Sequence, residues 1–273
     1  MTLHGIVLAK NEADIIAYTL RCAAAWADRI YVFDTGSTDA TWREVQALAR
    51  ELPAIVPFKS ECRNFGDELR AEVFQAFRHE AKPGAWWCRL DTDEVYAVDP
   101  REFLARVPAT EHVVWAAHAQ FYFTDADLPR FSVDATEPPV IDATNRPRYY
   151  VTNSSEARFF RHRPRLEWTD GAWPRHMGLV HPRRIPLRHF QYRSPQQIQR
   201  RLDTRREATA GGYAHFGHSL QANWREQVRD AKTLHYDDGQ APLLVEDILM
   251  PRHLETSWQR LVKRVMHGSH LWP

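Results

Sequence analysis

The first hundred residues alternate between two hydrophobic periods, and that alternation restricts the fold more than any other feature of the chain. "LHGIVLA" (3–9), "RIYVF" (29–33), "AIVPF" (54–58) and "WWCRL" (86–90) are apolar runs of strand length. The segments between them carry apolar residues at helical spacing. "NEADIIAYTLRCAAAW" opens on Asn11, a residue suited to an N-cap. "ATWREVQALAREL" aligns Trp42, Val45, Leu48 and Leu52 on one stripe, and "DELRAEVFQAFRHEA" has Leu69, Val73, Phe74 and Phe77 as its apolar side. Pro57 makes the third strand the weakest of the four, because proline cannot donate to a ladder. Strands and helices alternating over short connections predict a mostly parallel α/β sheet, right-handed in its crossovers and covered by helices on both faces. Ligands of such sheets bind beyond the carboxyl ends of the strands. The polar residues at those ends are Lys10, Asn11 and Glu12; Asp34 with "TGSTD"; and Asp91, Asp93 and Glu94 of "LDTDEVY".

Beyond residue 100 the pattern changes. Asp99-Pro100 starts a short helix, "HVVWAAHAQFYF" (112–123) is a long strand, and the proline-containing stretch 124–150 reads as a surface loop. "EARFFR" and "IPLRHFQ" are further strands. Ser194-Pro195 is an N-cap followed by proline at the first helical position, opening "PQQIQRRLDTRREA". Two more helical stretches are expected near 223–236 and 254–267. The chain thus divides into an αβ half (1–123), a second half with a loop (124–195) and a helical C-terminal extension (196–273).

No run of eighteen apolar residues and no leader pattern occurs, so a soluble, cytoplasmic protein is expected. Cys22, Cys62 and Cys88 form no C-x-x-C pair, which speaks against a disulfide framework or a zinc site. The formal charge of +1 hides an asymmetry: residues 1–150 hold 16 Lys+Arg against 23 Asp+Glu, and residues 151–273 hold 20 against 12. The second half is the one to meet an anion. Its segment "TSWQRLVKRVMHGSHLW" sets Trp258, Leu261, Val262 and Val265 on one helical side and Arg260, Lys263 and Arg264 towards the other. That pattern suits either a weak contact of the cationic face with an anionic membrane surface or an ordinary helix packing its apolar side on its own domain.

Three carboxylates within residues 91–94 repel one another and need a cation, a cationic partner or water. Taken in order, "VLAKNEADI", "FDTGSTDAT", "NFGDELRAE" and "LDTDE" resemble the nucleotide-sugar-binding half of family 2 glycosyltransferases, enzymes of the GT-A fold. The likeness covers roughly residues 3–100, with a fainter one over 165–195. It implies a nucleotide-diphosphate sugar as donor and Mn²⁺ or Mg²⁺ as cofactor. It also implies transfer, with inversion, to a hydroxyl of a glycan, lipid-linked or other acceptor in glycan or polysaccharide synthesis, with no nucleic acid as partner.

By the same resemblance Asp93 takes the cation, with His189 as a further ligand, and Asp91 takes the donor's ribose or sugar hydroxyls. Glu94 orients these groups or starts a helix. Asp34 binds the base, with the backbone of Ala9 and the side chains of Asn11 and Glu12 nearby. Arg70 meets a base carbonyl or a phosphate, and Arg188 or Arg193 the diphosphate. Where the family often has two adjacent acids, this chain has Asp34-Thr35, leaving one acid for base or ribose. Inverting transfer needs a carboxylate to accept the acceptor's proton. Asp170 in "EWTDGAW" fills that position, between Trp168 and Trp173, with Glu167 and Glu156 as rivals. Plainer roles stand beside each of these: an Asx-turn for Asp34, an exposed helix position for Arg70, a simple turn for "TDG" and a packed strand histidine for His189. His176, His181 and His189 have spacings of no usual zinc pattern. Two other activities fit the same carboxylates: a nucleotidyltransferase, although "LAKNEAD" stands where a glycine-rich phosphate loop would be, and a non-catalytic binder of nucleotide sugars or glycans.

Overall fold

The computed structural model describes residues 1–64, 66–132, 135–210, 221–246 and 250–273. Phe65 of the "NFG" signature, two residues of the 124–150 loop and parts of the C-terminal extension lie outside that set. The four expected strands form as β1 (Leu3–Ala9), β2 (Arg29–Asp34), β3 (Ile55–Ser60) and β4 (Trp86–Asp91), separated by helices α1 (Ile16–Ala24), α2 (Thr41–Glu51) and α3 (Glu68–Phe77). They continue into β5 (Glu94–Tyr96), α4 (Pro100–Ala105), β6 (Val113–Tyr122), β7 (Tyr149–Arg161), β8 (Ile185–His189), α5 (Pro195–Ala210), β9 (His235–Tyr236) and α6 (Ser257–Gly268). One mixed sheet results, in the order β3-β2-β1-β4-β7-β6-β8-β5, with β9 beside β7. β1 to β4 are mutually parallel and β6 and β8 run with them, whereas β7 and β5 run against them.

Side-chain alternation sends each strand's residues into two cores, which is why the sheet needs helices on both faces. Val7, Ile30, Val32, Trp86 and Leu90 pack with Ile16, Leu20, Val45 and Leu48 of α1 and α2. Ile6, Leu8, Tyr31, Phe33 and Trp87 pack with Leu69, Val73 and Phe74 of α3 on the other side. Each such side chain contributes about 1.5–3 kcal/mol on full burial. Pro57 is accommodated because β3 is an edge strand, and the register slips between Val32, opposite Pro57, and Phe33, opposite Lys59.

Several local expectations change. Asn11 does not cap α1, which starts at Ile16. It adopts a left-handed φ of 55° instead, and its Oδ1 accepts from the Thr38 N–H at 2.8 Å, a bond that a helical Asn11 could not make. The stretch 223–236 holds short 3-10 turns at Trp224–Gln227 and Ala231–Thr233 before β9, not a helix, because Asn223 and Asp230 each cap and close a single turn. α5 begins as expected, with the Ser194 hydroxyl accepting from the Gln197 N–H at 3.2 Å. α6 forms with a reciprocal Thr256–Gln259 cap, but its polarity is reversed. Arg260 donates to the Val180 carbonyl at 3.1 Å, and Lys263 pairs with Glu255 at 2.7 Å. Arg260 and Lys263 are thereby drawn onto the body, and Trp258 (70% exposed), Leu261 and Val265 face outward with Arg264. Among the described residues no helix is long and apolar enough to cross a membrane.

Candidate active site

Strand register brings the sequence signatures to one edge of the sheet. Ala9, the last residue of β1, lies opposite Asp34 of β2, and Leu8 lies opposite Asp91 of β4. The turn after Asp91 carries Thr92 and Asp93 and leads straight into β5, where Glu94 is paired across the ladder with His189 of β8. His118 of β6 sits beside Leu187, two positions back along β8. Over this edge lies a cleft of about 610 Å³. Ala9, Asn11, Glu12, Asp91, Asp93 and His189 line one wall. Gln197, Arg200, Arg201, Thr204, Arg205 and Glu207 of α5 line the other, with Lys10 also on the cleft.

The strand wall is an ion lattice. Asp91 accepts from Arg70 and, at 3.1 Å, from Arg158, which also pairs with the buried Glu94. Burial alone would raise the pKa of Asp91, but Arg158, Arg70 and Arg89 outweigh it and hold the carboxyl below the usual carboxylate range. Asp93 follows the same logic: burial opposes its charge, while His189, Arg201 and Arg193 overcome it and lower its pKa. Its Oδ2 lies 3.4 Å from His189 Nε2 and 3.4 Å from Arg201. For Glu94 and Glu12 burial prevails over their arginines, and both are pushed up to about 7.

One ligand atom from each of Glu94, His118 and His189 lies within 4.8 Å of the other two. Among the described residues, His118 Nε2 and His189 Nδ1 are buried without a hydrogen-bond partner. Burial, reinforced by Arg158 and His189, drives the His118 pKa well below 6.5, so it stays neutral, the form that ligates metal. Two orphaned imidazole nitrogens clustered with the Glu94 carboxylate, and with Asp93 3.4 Å from His189, fit a divalent cation that accepts mixed nitrogen and oxygen donors.

Five of the expected residues are engaged away from the cleft surface. Asp34 is wholly buried and accepts from the Ser37 N–H, the Ser37 hydroxyl and the Ser60 hydroxyl (2.7 Å), the turn geometry that was its plainer role. Arg70 is buried between Asp67 (2.8 Å) and Asp91, not exposed on its helix. Arg193, also buried, cross-braces Asp14 (2.7 Å) and Glu12 (2.5 Å). Asp170 is on an exposed loop, its side chain 67% accessible and 3.3 Å from Arg175, and it does not line the cleft. Arg188 pairs with Asp237 at 2.8 Å. Sequence reasoning missed Arg158, His118 and the α5 wall. The available signals were a lone charge inside the apolar run "ARFF", a lone histidine in "AAHAQF", and the i, i+4, i+8 spacing of Gln197, Arg201 and Arg205.

No family model and no curated protein matches the chain. Among solved structures it is similar to the mannosyltransferase PcManGT from Pyrobaculum calidifontis in complex with GDP-Man and Mn2+, at 14% identity over 76% of this chain and 64% of that one, with a TM-score of 0.39. It is also similar to S. aureus TarS (14% identity, 77% and 39% of the two chains, TM-score 0.38) and to TarS 1-349 in complex with UDP-GlcNAc (13%, 81% and 70%, TM-score 0.39). The chain spans less than two thirds of the length of the first two. Likenesses this distant carry no functional argument, which falls to the cleft's own residues.

Proposed function

We propose that the protein is a metal-dependent glycosyltransferase that moves a sugar from a nucleotide-diphosphate donor to an acceptor hydroxyl, with inversion. The observation that carries this reading is the pair of buried, unpartnered imidazole nitrogens on His118 and His189, clustered with Glu94 directly behind a cleft that His189 and Asp93 line and whose opposite wall is rich in arginine. Asp93 and His189 hold the cation, Mn²⁺ or Mg²⁺, with Glu94 and His118 behind them. Imidazole donors favour Mn²⁺ of the two. Once bound, the cation offsets the charge of the diphosphate. Arg201, Arg205 and Lys10 bind the diphosphate oxygens from the other side, where guanidinium forks suit phosphate geometry. Ala9, Asn11, Glu12 and Asp91 surround the nucleoside. Asp34 shapes the turn that presents Thr35 to the cleft, and Arg193 fixes Glu12 and Asp14 in place. Asp91, held ionised by Arg158 and Arg70, accepts hydroxyl hydrogen bonds across the working pH range.

A thermal-shift panel of UDP-, GDP-, dTDP- and CMP-sugars with and without Mn²⁺ tests the reading. A ligand at 100 times its Kd stabilises the native state by about 2.7 kcal/mol, a rise of roughly 5–10 °C for a chain of this size. One base class should give that rise with Mn²⁺ and a much smaller one without it. No shift from any donor under either condition would contradict the proposal.

A further inference from the structure

A second cavity, of about 470 Å³, adjoins the cleft along α5. Gln196, Gln199 and Asp203 line it from the helix, with Thr136 and Trp224 opposite, while Arg200, Thr204 and Glu207 line both spaces. The two lining stripes are offset by one residue, about 100° around the helix, and overlap at those three positions. The chemistry of the second cavity differs from that of the first. Amide, hydroxyl and carboxyl groups face an indole, and the one cationic side chain among the described lining residues, Arg200, is already engaged by Glu137 at 2.9 Å. A space of this kind suits a neutral, hydroxyl-rich ring with an apolar C–H side, not a second phosphate. Trp224 is held there: its backbone N–H donates to Gln199 Oε1 at 3.0 Å, and the Arg225 guanidinium lies 4.5 Å from its ring centre. Glu207, at the junction, makes no hydrogen bond or ion pair with any described residue, unlike Asp91, Asp93 and Glu12 on the strand wall.

Building on the glycosyl-transfer reading, we infer that this second cavity is the acceptor subsite for a sugar ring, and that Glu207, not Asp170, receives the acceptor's proton. In that step the acceptor hydroxyl oxygen forms a bond to the donor's anomeric carbon. The bond from that carbon to the diphosphate oxygen breaks, and its electron pair leaves with the nucleoside diphosphate. The hydroxyl proton passes to the Glu207 carboxylate, and nothing is oxidised or reduced.

The test uses the full chain with Mn²⁺, UDP or GDP, and four p-nitrophenyl glycosides (α-mannoside, β-glucoside, β-galactoside and β-N-acetylglucosaminide) as acceptor probes, read by saturation-transfer NMR. At least one glycoside should receive saturation from the wild type. Trp224→Ala should weaken that binding about tenfold, with nucleoside diphosphate affinity unchanged. Thr136→Trp, which fills the cavity from an exposed position, should do the same without disturbing the core. Glu207→Gln should keep both ligands and lose about 10²-fold in glycoside-dependent release of nucleoside diphosphate from the sugar donor. Unchanged glycoside binding in Trp224→Ala and Thr136→Trp, or undiminished release in Glu207→Gln, would overturn the inference. A wild type that binds nucleoside diphosphate but none of the glycosides would overturn the subsite and leave the donor reading intact. A wild type that binds neither would remove the reading beneath it.

Discussion

The two walls of the cleft put the same residue types to different use. On the strand wall each acid comes with its counter-charge: Asp91 with Arg70 and Arg158, Glu94 with Arg158, Asp93 with His189, Glu12 with Arg193, and most of these side chains are buried. On the α5 wall Arg200, Arg201 and Glu207 keep contact with water, and Glu207 has no partner among the described residues. A buried lattice holds its groups in one geometry, at the cost of desolvating every charge in it. A half-exposed wall is free to exchange water for ligand. Fixed charge on one wall and adaptable charge on the other is the division that the cleft's geometry supports.

The largest effect should come from breaking the lattice. Arg158→Met removes the buried partner of both Glu94 and Asp91, and an unpaired buried charge costs about 3–5 kcal/mol. Urea unfolding should show that loss, and a change below about 1 kcal/mol would mean that the strand wall does not depend on its pairing. A cut in the other wall should behave oppositely. Arg201→Ala leaves Asp93 its other partners, His189 and Arg193, so it should lower nucleoside diphosphate affinity by roughly tenfold or more, the range of a charged hydrogen bond, and move stability by less than about 1 kcal/mol. Calorimetric titration beside a melting curve separates the two, and a large stability loss would place Arg201 in the lattice.

An effect that vanishes at neutral pH lies away from both walls. Burial first, then Arg163 and His267, lower the His112 pKa to about 3, and burial with Arg78 and His4 lowers that of His162 to about 4. Each imidazole takes up its proton more readily in the unfolded chain, near pH 6.5. Their contribution is therefore complete above pH 6.5 and is lost as pH falls towards 4 and 3. Melting temperature should drop over that interval, and His112→Gln should make the drop shallower. An equal drop in the variant would remove His112 from the balance.

The strand wall was legible in the sequence and the helix wall was not, for a physical reason. A parallel sheet sends the ends of its strands to one edge, so Ala9, Asn11, Glu12, Asp91 and Asp93 converge by topology alone once the strands are recognised. Arg158 and His118 reach the same edge through antiparallel and crossover pairings, which pattern does not reveal, although each is a polar residue inside an apolar strand. The α5 residues depend on where a helix more than a hundred positions later comes to rest, and helical spacing shows which of them share a face but not what they face. Asp170 failed to reach the cleft for the same reason, since "TDG" specifies a turn and says nothing of its depth. The pattern of α6 was read correctly as two-sided. The half-buried carboxylates of Glu111 and Glu255, remote or unremarkable in sequence, decided which side turned inward.

The central claim is that the strand wall holds a divalent cation through Asp93 and His189. Electron paramagnetic resonance of Mn²⁺ titrated against the full chain, wild type beside Asp93→Asn and His189→Ala, measures this without any knowledge of donor or acceptor. The account predicts that the wild type captures Mn²⁺ and that each variant, folded by its melting curve, weakens capture by at least about tenfold. Capture by folded Asp93→Asn and His189→Ala equal to that of the wild type would contradict it.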